Sequence, residues 1–166
     1  MQGLVHGALT LSHLLVSKDQ RIQIAGLGLQ RLLERRDILP VAAPCEQVLT
    51  LAGTWLVAQR YLAPECLQQR QAADIRSDVY SLGVILGELL TGRPPWSGTS
   101  SLEPAMEERQ HLLPMRLPQD VNLPRSVERV LHQARAEDPG MHFQRVSDLL
   151  AAFAEGLEEV GALPSL

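Results

Sequence analysis

Aromatic residues, cysteine and lysine are all scarce in this 166-residue chain, and each scarcity excludes something. Aromatics make up 4% against 45% hydrophobic residues overall, so a core is available but must be built from Leu, Val, Ile and Ala, a set that favours helices. The cysteines are Cys45 and Cys66, with no C-x-x-C spacing, which argues against a disulfide framework or a zinc site and points to a reducing, cytoplasmic setting. Lys18 is the sole lysine, and the arginines form no long run, so the charge pattern carries no footprint for a nucleic-acid backbone. The longest clean apolar run, 82–86, is followed by Glu88 and is far too short to cross a membrane. The N-terminal stretch has no basic head and carries His6 and His13 within its apolar residues, so it does not read as a signal peptide. No internal repeat or low-complexity tract is present.

What is present is mainly helical, with one hairpin. Apolar runs at 13–16 and 22–25 flank the polar turn Ser17-Lys18-Asp19-Gln20, a β-hairpin signature. Residues 29–60 keep no period and contain Pro40, Pro44 and Gly53; they read as a long irregular segment with one helical turn at Leu29 to Arg35. From Asp78 to Leu90 hardly a polar face remains, the pattern of a buried helix, with Asp74 or Ser77 to cap it and Gly92 at its exit. Pro94 and Pro95 bar continuation. A short helix is expected around Leu102 to Leu112. An amphipathic one is expected over Pro124 to Ala136, with Val127, Val130, Leu131 and Ala134 on its stripe. The last runs from Val146 to Val160, with Val146, Leu149, Leu150, Phe153 and Leu157 at helical spacing.

Several of these landmarks stand in an order that resembles the protein kinases. Tyr61-Leu62-Ala63-Pro64-Glu65 resembles the A-P-E motif closing a kinase activation segment. Asp74 through Val84 resembles the start of the central helix of the kinase C-lobe, and Leu89-Leu90-Thr91-Gly92-Arg93-Pro94-Pro95-Trp96 resembles its exit. Asp138-Pro139 followed by His142-Phe143 resembles the approach to the last kinase helix. The flavour is that of bacterial-type serine/threonine kinases. The resemblance implies a mainly α, partial kinase-like domain over 1–166, running from catalytic loop to last helix, with 26–65 as the activation-segment equivalent.

On those anchors His6-Gly7-Ala8 takes the place of H-R-D, His13 that of the catalytic-loop Asn, and Gly26-Leu27-Gly28 that of D-F-G. Phosphoryl transfer is mostly positioning and charge neutralisation. Ala8 offers a methyl group where the resemblance implies a carboxylate for the substrate hydroxyl. Magnesium wants oxygen ligands, yet His13 offers nitrogen and Gly26 no side chain. Thr10 replaces the usual Lys. The Thr normally found before Tyr61 is Ala58 when counted without gaps, or Thr54 if a four-residue insertion is allowed; both registers stay open. The positions the resemblance marks as structural are His6, Tyr61, Pro64, Glu65, Asp78, Gly92 and His142. Asp78 is implied to hold the loop backbone, and His6 to bond the backbone near Gly26. Glu65 is implied to pair with an Arg whose place His142 takes, which leaves a protonated His142 or nearby Arg145 as partner and predicts a weaker anchor.

Plainer readings compete with these. His6 and His13 are seven apart in an extended region, so structural roles outweigh a metal site. Gly26-Leu27-Gly28 lacks the third glycine of a nucleotide loop and reads as a turn. Glu107-Glu108 and Glu158-Glu159 read as solvated faces, and Trp55 and Trp96 as packing or surface residues. Joint loss at Ala8, Thr10, His13 and Gly26 points to a pseudokinase module in signalling, with no catalytic residues and no cofactor, where active family members use ATP and magnesium. Its partner is expected to be a protein, or the remainder of its own kinase domain, since no Gly-rich loop or N-lobe precedes the catalytic loop and a longer parent chain is expected. An uncovered side of the central helix is expected as an apolar patch. The alternatives are the C-lobe of an active kinase moving the ATP γ-phosphate to protein Ser or Thr, for which Asp19 and Asp37 are not placed to substitute, and a decayed gene remnant.

Overall fold

The computed structural model describes residues 4–27, 58, 60–68, 73–93, 121 and 123–159, with side chains at 67 and 68 left aside. The expected turn at Leu29 to Arg35, the helix around Leu102 to Leu112, and Cys45, Thr54, Trp55, Pro94, Pro95 and Trp96 lie outside these residues. The described fold is mainly α with one antiparallel hairpin, as the sequence predicts. A 3-10 turn at Leu11–His13 leads into β1 (Leu14–Val16), which pairs with β2 (Ile22–Ile24) in the register Leu14↔Ile24, Leu15↔Gln23 and Val16↔Ile22. The helices are α1 (Pro64–Gln68), α2 (Ile75–Thr91), α3 (Arg125–Ala134) and α4 (Val146–Glu158), with a 3-10 turn at Pro139–Met141 between the last two.

α2 starts three residues before the predicted Asp78 because Asp74 caps it. The Asp74 carboxylate accepts from the Arg76 N–H at 2.7 Å, and Ser77 Oγ, inside the first turn, donates to the Asp74 carbonyl at 2.7 Å. Gly92 ends the helix in the left-handed region at φ 63, where its N–H reaches the Glu88 carbonyl at 2.8 Å, a backbone that a Cβ would strain.

The apolar character all round α2 follows from its position between two clusters. On one side Tyr80, Val84 and Ile85 pack with Leu9, Tyr61 and Ala63. On the other, Val79 packs with Ala134 of α3 and Leu149 of α4, while Leu82 and Leu86 lie partly buried against the same group. α3 presents Val127, Leu131 and Ala134 as predicted, and α4 lies across it so closely that a Cβ on Gly156 would stand 3.3 Å from Val127 Cγ2. α4 departs from the prediction at Leu150, which is 46% exposed. The contact face centres on Leu149 and Gly156, seven residues apart on one stripe, and successive helical residues diverge by roughly 100°.

The uncovered apolar surface also falls elsewhere than predicted. On α2 it is confined to the C-terminal end, chiefly Leu89. The hairpin instead leaves Leu15, Val16, Ile22 and Ile24 each more than half exposed. No helix among the described residues is long and apolar enough to cross a membrane.

Candidate functional site

The loop from His6 to His13 is pinned to α2 by one side chain. Asp78, on the first turn of α2, accepts the His6 N–H at 2.8 Å on one carboxylate oxygen and the Gly7 N–H at 2.9 Å on the other. Burial raises the Asp78 carboxyl above its usual range, with these two N–H bonds pulling it back only in part. The His6 ring then reaches the other way: its Nε2–H donates to the Ala25 carbonyl at 2.9 Å, just before Gly26, which sits at φ 80 as a turn residue. Loop, hairpin and central helix thus meet through His6 and Asp78.

Beside this junction lie the positions of catalytic interest. Ala8 is buried, and its methyl supplies no proton acceptor. Thr10 is 2% exposed, with Oγ1 bonded to Ser12 Oγ at 2.8 Å and set 3.1 Å from His13 Nδ1. The Thr10 N–H donates to the same Nδ1 at 3.2 Å, and the His13 N–H returns to the Thr10 carbonyl at 3.1 Å. The sequence reading named Thr10 and His13 separately and missed that they hold each other. The signal was present as T-x-x-H, a capping-box spacing with imidazole nitrogen in place of the usual carboxylate or amide. Burial, and then the His6 ring with its centroid 4.9 Å away, hold the His13 imidazole below the usual histidine range.

These residues do not fit a magnesium ion. The hard cation needs oxygen donors, Gly26 has no side chain, and the inward nitrogen of His13 is already occupied by Thr10. Among the described residues no group of three or more His, Cys, Asp or Glu side chains is arranged to hold any metal.

The anchoring residues divide. Tyr61 is fixed twice: its O–H donates to Glu88 Oε2 at 2.6 Å and its carbonyl accepts from Ser81 Oγ at 2.8 Å. Burial first, then the Glu88 bond, push its phenol far above the ordinary value. Ala58, one of the two registers left open for the pre-Tyr61 threonine, is buried, and its carbonyl accepts the Tyr61 N–H at 3.0 Å. Pro64 opens α1, and Glu65 beside it is buried with Oε2 lacking any hydrogen-bond partner. His142 donates from Nε2 to the Ala136 carbonyl at 2.6 Å, stacks obliquely on Tyr80, and leaves Nδ1 unpartnered; Arg145 is exposed. Neither sequence candidate pairs with Glu65. Burial and then the Glu65 charge push the thiol of Cys66 next to it up to about 11, which disfavours the thiolate near neutral pH. A Glu65→Gln substitution is therefore expected to change stability by less than about 1 kcal/mol, because no charge pair is broken and an isosteric group refills the space. Thermal melting near neutral pH checks this, and a drop of several degrees would reveal a pair that the geometry lacks.

Comparisons with known proteins come down on one family. The family described as protein kinase domain matches residues 1–155. The chain is 32% identical over 164 residues to serine/threonine-protein kinase PknL of Mycobacterium tuberculosis, covering 98% of this chain and 37% of that protein. It is 28% identical over 152 residues to the probable serine/threonine-protein kinase PknB of Lactococcus lactis, covering 92% of this chain and 22% of the other. A shorter match to serine/threonine-protein kinase PLK4 of Xenopus laevis reaches 42% identity over 94 residues, 57% of this chain. The chain thus spans from about a fifth to just over a third of the length of these bacterial relatives, 22% and 37%.

Proposed function

The chain belongs to the protein kinase domain family, and from that premise we propose that it is a pseudokinase lobe, acting in cytoplasmic signalling by contact with a protein partner rather than by phosphoryl transfer. The observation carrying this reading is the closed network at the catalytic-loop positions. Ala8 has no acceptor, and the Thr10 and His13 groups that point inward are spent on one another. A base and two metal ligands would all have to be supplied from elsewhere for phosphate chemistry. The scaffold beneath them is kept: Asp78 and His6 tie loop, helix and hairpin together without touching any reacting group. The exposed Leu15, Val16, Ile22 and Ile24 support a role that works through contact, whether with a separate protein or with further parts of a kinase domain.

The relatives' names favour the alternative of an active serine/threonine kinase, and one experiment separates the two. Thermal melting with and without Mg-ATP, run beside a radiolabelled phosphotransfer assay on a generic protein substrate, is expected to show no magnesium-dependent shift and no transfer. Transfer that a substitution within 6–13 abolishes would overturn the proposal.

A further inference from the structure

We propose that His13 is an acid-sensitive latch: neutral, its ring ties the 3-10 turn to Thr10, and protonation releases that turn together with the start of the hairpin. The inference starts from the contacts of the ring and holds whether or not the lobe transfers phosphate. His13 serves the loop in two ways at once. Its ring nitrogen Nδ1 accepts the Thr10 N–H at 3.2 Å, while its backbone carbonyl accepts the Ala25 N–H at 2.9 Å and so holds β2 against β1. The first contact exists only while Nδ1 carries no proton. A proton there sets donor against donor at the Thr10 N–H, in a residue only 2% exposed with little access to water as a substitute, and leaves the ring only Thr10 Oγ1, 3.1 Å away and already bonded to Ser12 Oγ.

The surroundings oppose the charge. The His6 ring lies 4.9 Å away, centroid to centroid, with its Nε2–H committed to the Ala25 carbonyl, so it gives a charge on His13 no acceptor and disfavours it. Behind His6 the Asp78 carboxylate of α2 is taken up by the His6 and Gly7 N–H groups. The hairpin contributes only backbone at Ala25, its charged residues Lys18, Asp19 and Arg21 lying at the far end around the turn. The Ala8 carbonyl favours the protonated ring, but as the smallest influence. His13 accordingly protonates less readily folded than unfolded. Its contribution to stability is complete above the ordinary histidine value of 6.5 and is lost as pH falls from there through its lower folded value.

Nuclear magnetic resonance of the intact protein between about pH 8 and about pH 5 tests this, following the His13 ring signals and hydrogen exchange at the Thr10 amide together. His13 is expected to titrate below the ordinary value, and the Thr10 protection factor to fall in step, by up to about tenfold per pH unit for a single linked proton. In His13→Asn an amide oxygen at that position accepts the Thr10 N–H without titrating, so this step is expected to disappear while protection near neutral pH remains. Titration of His13 at or above the ordinary value, Thr10 protection that stays level as the ring titrates, or an unchanged acid step in His13→Asn would each overturn the latch. The wild-type measurement stands alone if the variant folds poorly.

Discussion

Replacing Asp78 with alanine is expected to destabilise the protein by about 3 kcal/mol, a fall in melting temperature of roughly 6–12 °C for a chain of this size. The carboxylate has opposing effects. Burial makes its charge costly, and this is the first cause of its raised pKa. Against that, each oxygen satisfies one buried backbone donor, His6 N–H at 2.8 Å and Gly7 N–H at 2.9 Å. Alanine relieves the desolvation but orphans both donors, at about 1–3 kcal/mol each. The donors win because two groups are orphaned for one charge relieved, and they sit in a loop closed on one side by the core containing Leu9. Asp78→Asn keeps one acceptor and is expected to lose about half as much. A pH signature distinguishes this role from simple packing. A raised carboxyl binds its proton more tightly folded than unfolded, so wild type gains stability as pH falls from the folded value toward 3.8, and Asp78→Ala does not. Equal melting temperatures for wild type and Asp78→Ala would refute the anchoring role, and parallel pH curves would refute the linkage.

The same residue shows why part of this molecule was legible in its sequence and part was not. Local signals survived: the apolar pattern of α2, the glycine at its end, and the turn residues of the hairpin each encode their element within a few positions. Pro64 was also a start signal, since proline suits a first helical turn, but a five-residue helix has too little periodicity to stand out, and the sequence showed only a motif where α1 lies. Long-range pairings were harder. That Asp78 meets His6 across 72 residues came from family resemblance, not from any period in the sequence. The weaker Glu65 anchor was implied by the resemblance, and what the sequence does not show is where the two candidate partners go: His142 spends Nε2 on the Ala136 carbonyl, and Arg145 is exposed. The half-buried Arg135, whose Nε donates to the Leu131 carbonyl at 2.9 Å, carries no signal in the sequence, because an arginine closing an amphipathic helix reads as a solvated end. The apolar runs of the hairpin encode strand, yet their exposure depends on what packs over them, which a two-residue alternation cannot say.

The second large effect is expected at Gly83, where the backbone of α2 comes up against the end of α3. A Cβ built there would lie 2.7 Å from Ala134 Cβ and 3.1 Å from Arg135 Cγ. The first distance is shorter than packed carbons tolerate, and Ala134 cannot yield alone, being fully buried on the stripe that also holds Val127 and Leu131. Arg135 yields only by giving up its bond to the Leu131 carbonyl. Gly83→Ala therefore sets a helix-propensity gain of up to about 1 kcal/mol against overpacking of about 1–3 kcal/mol, and a net loss of about 1 kcal/mol is expected. Gly83→Leu adds a branched side chain to the same gap, forces α3 outward from Val79 and Leu149, and is expected to cost at least about 3 kcal/mol. Removing the opposing methyl isolates the cause. If the clash is with Ala134 Cβ, then Ala134→Gly, harmful alone in a helix, should recover part of the loss in Gly83→Ala, with a coupling of about 0.5–3 kcal/mol in a double-mutant cycle. Urea melts of the four proteins measure it, and strictly additive losses would mean that α2 and α3 do not touch where the geometry puts them.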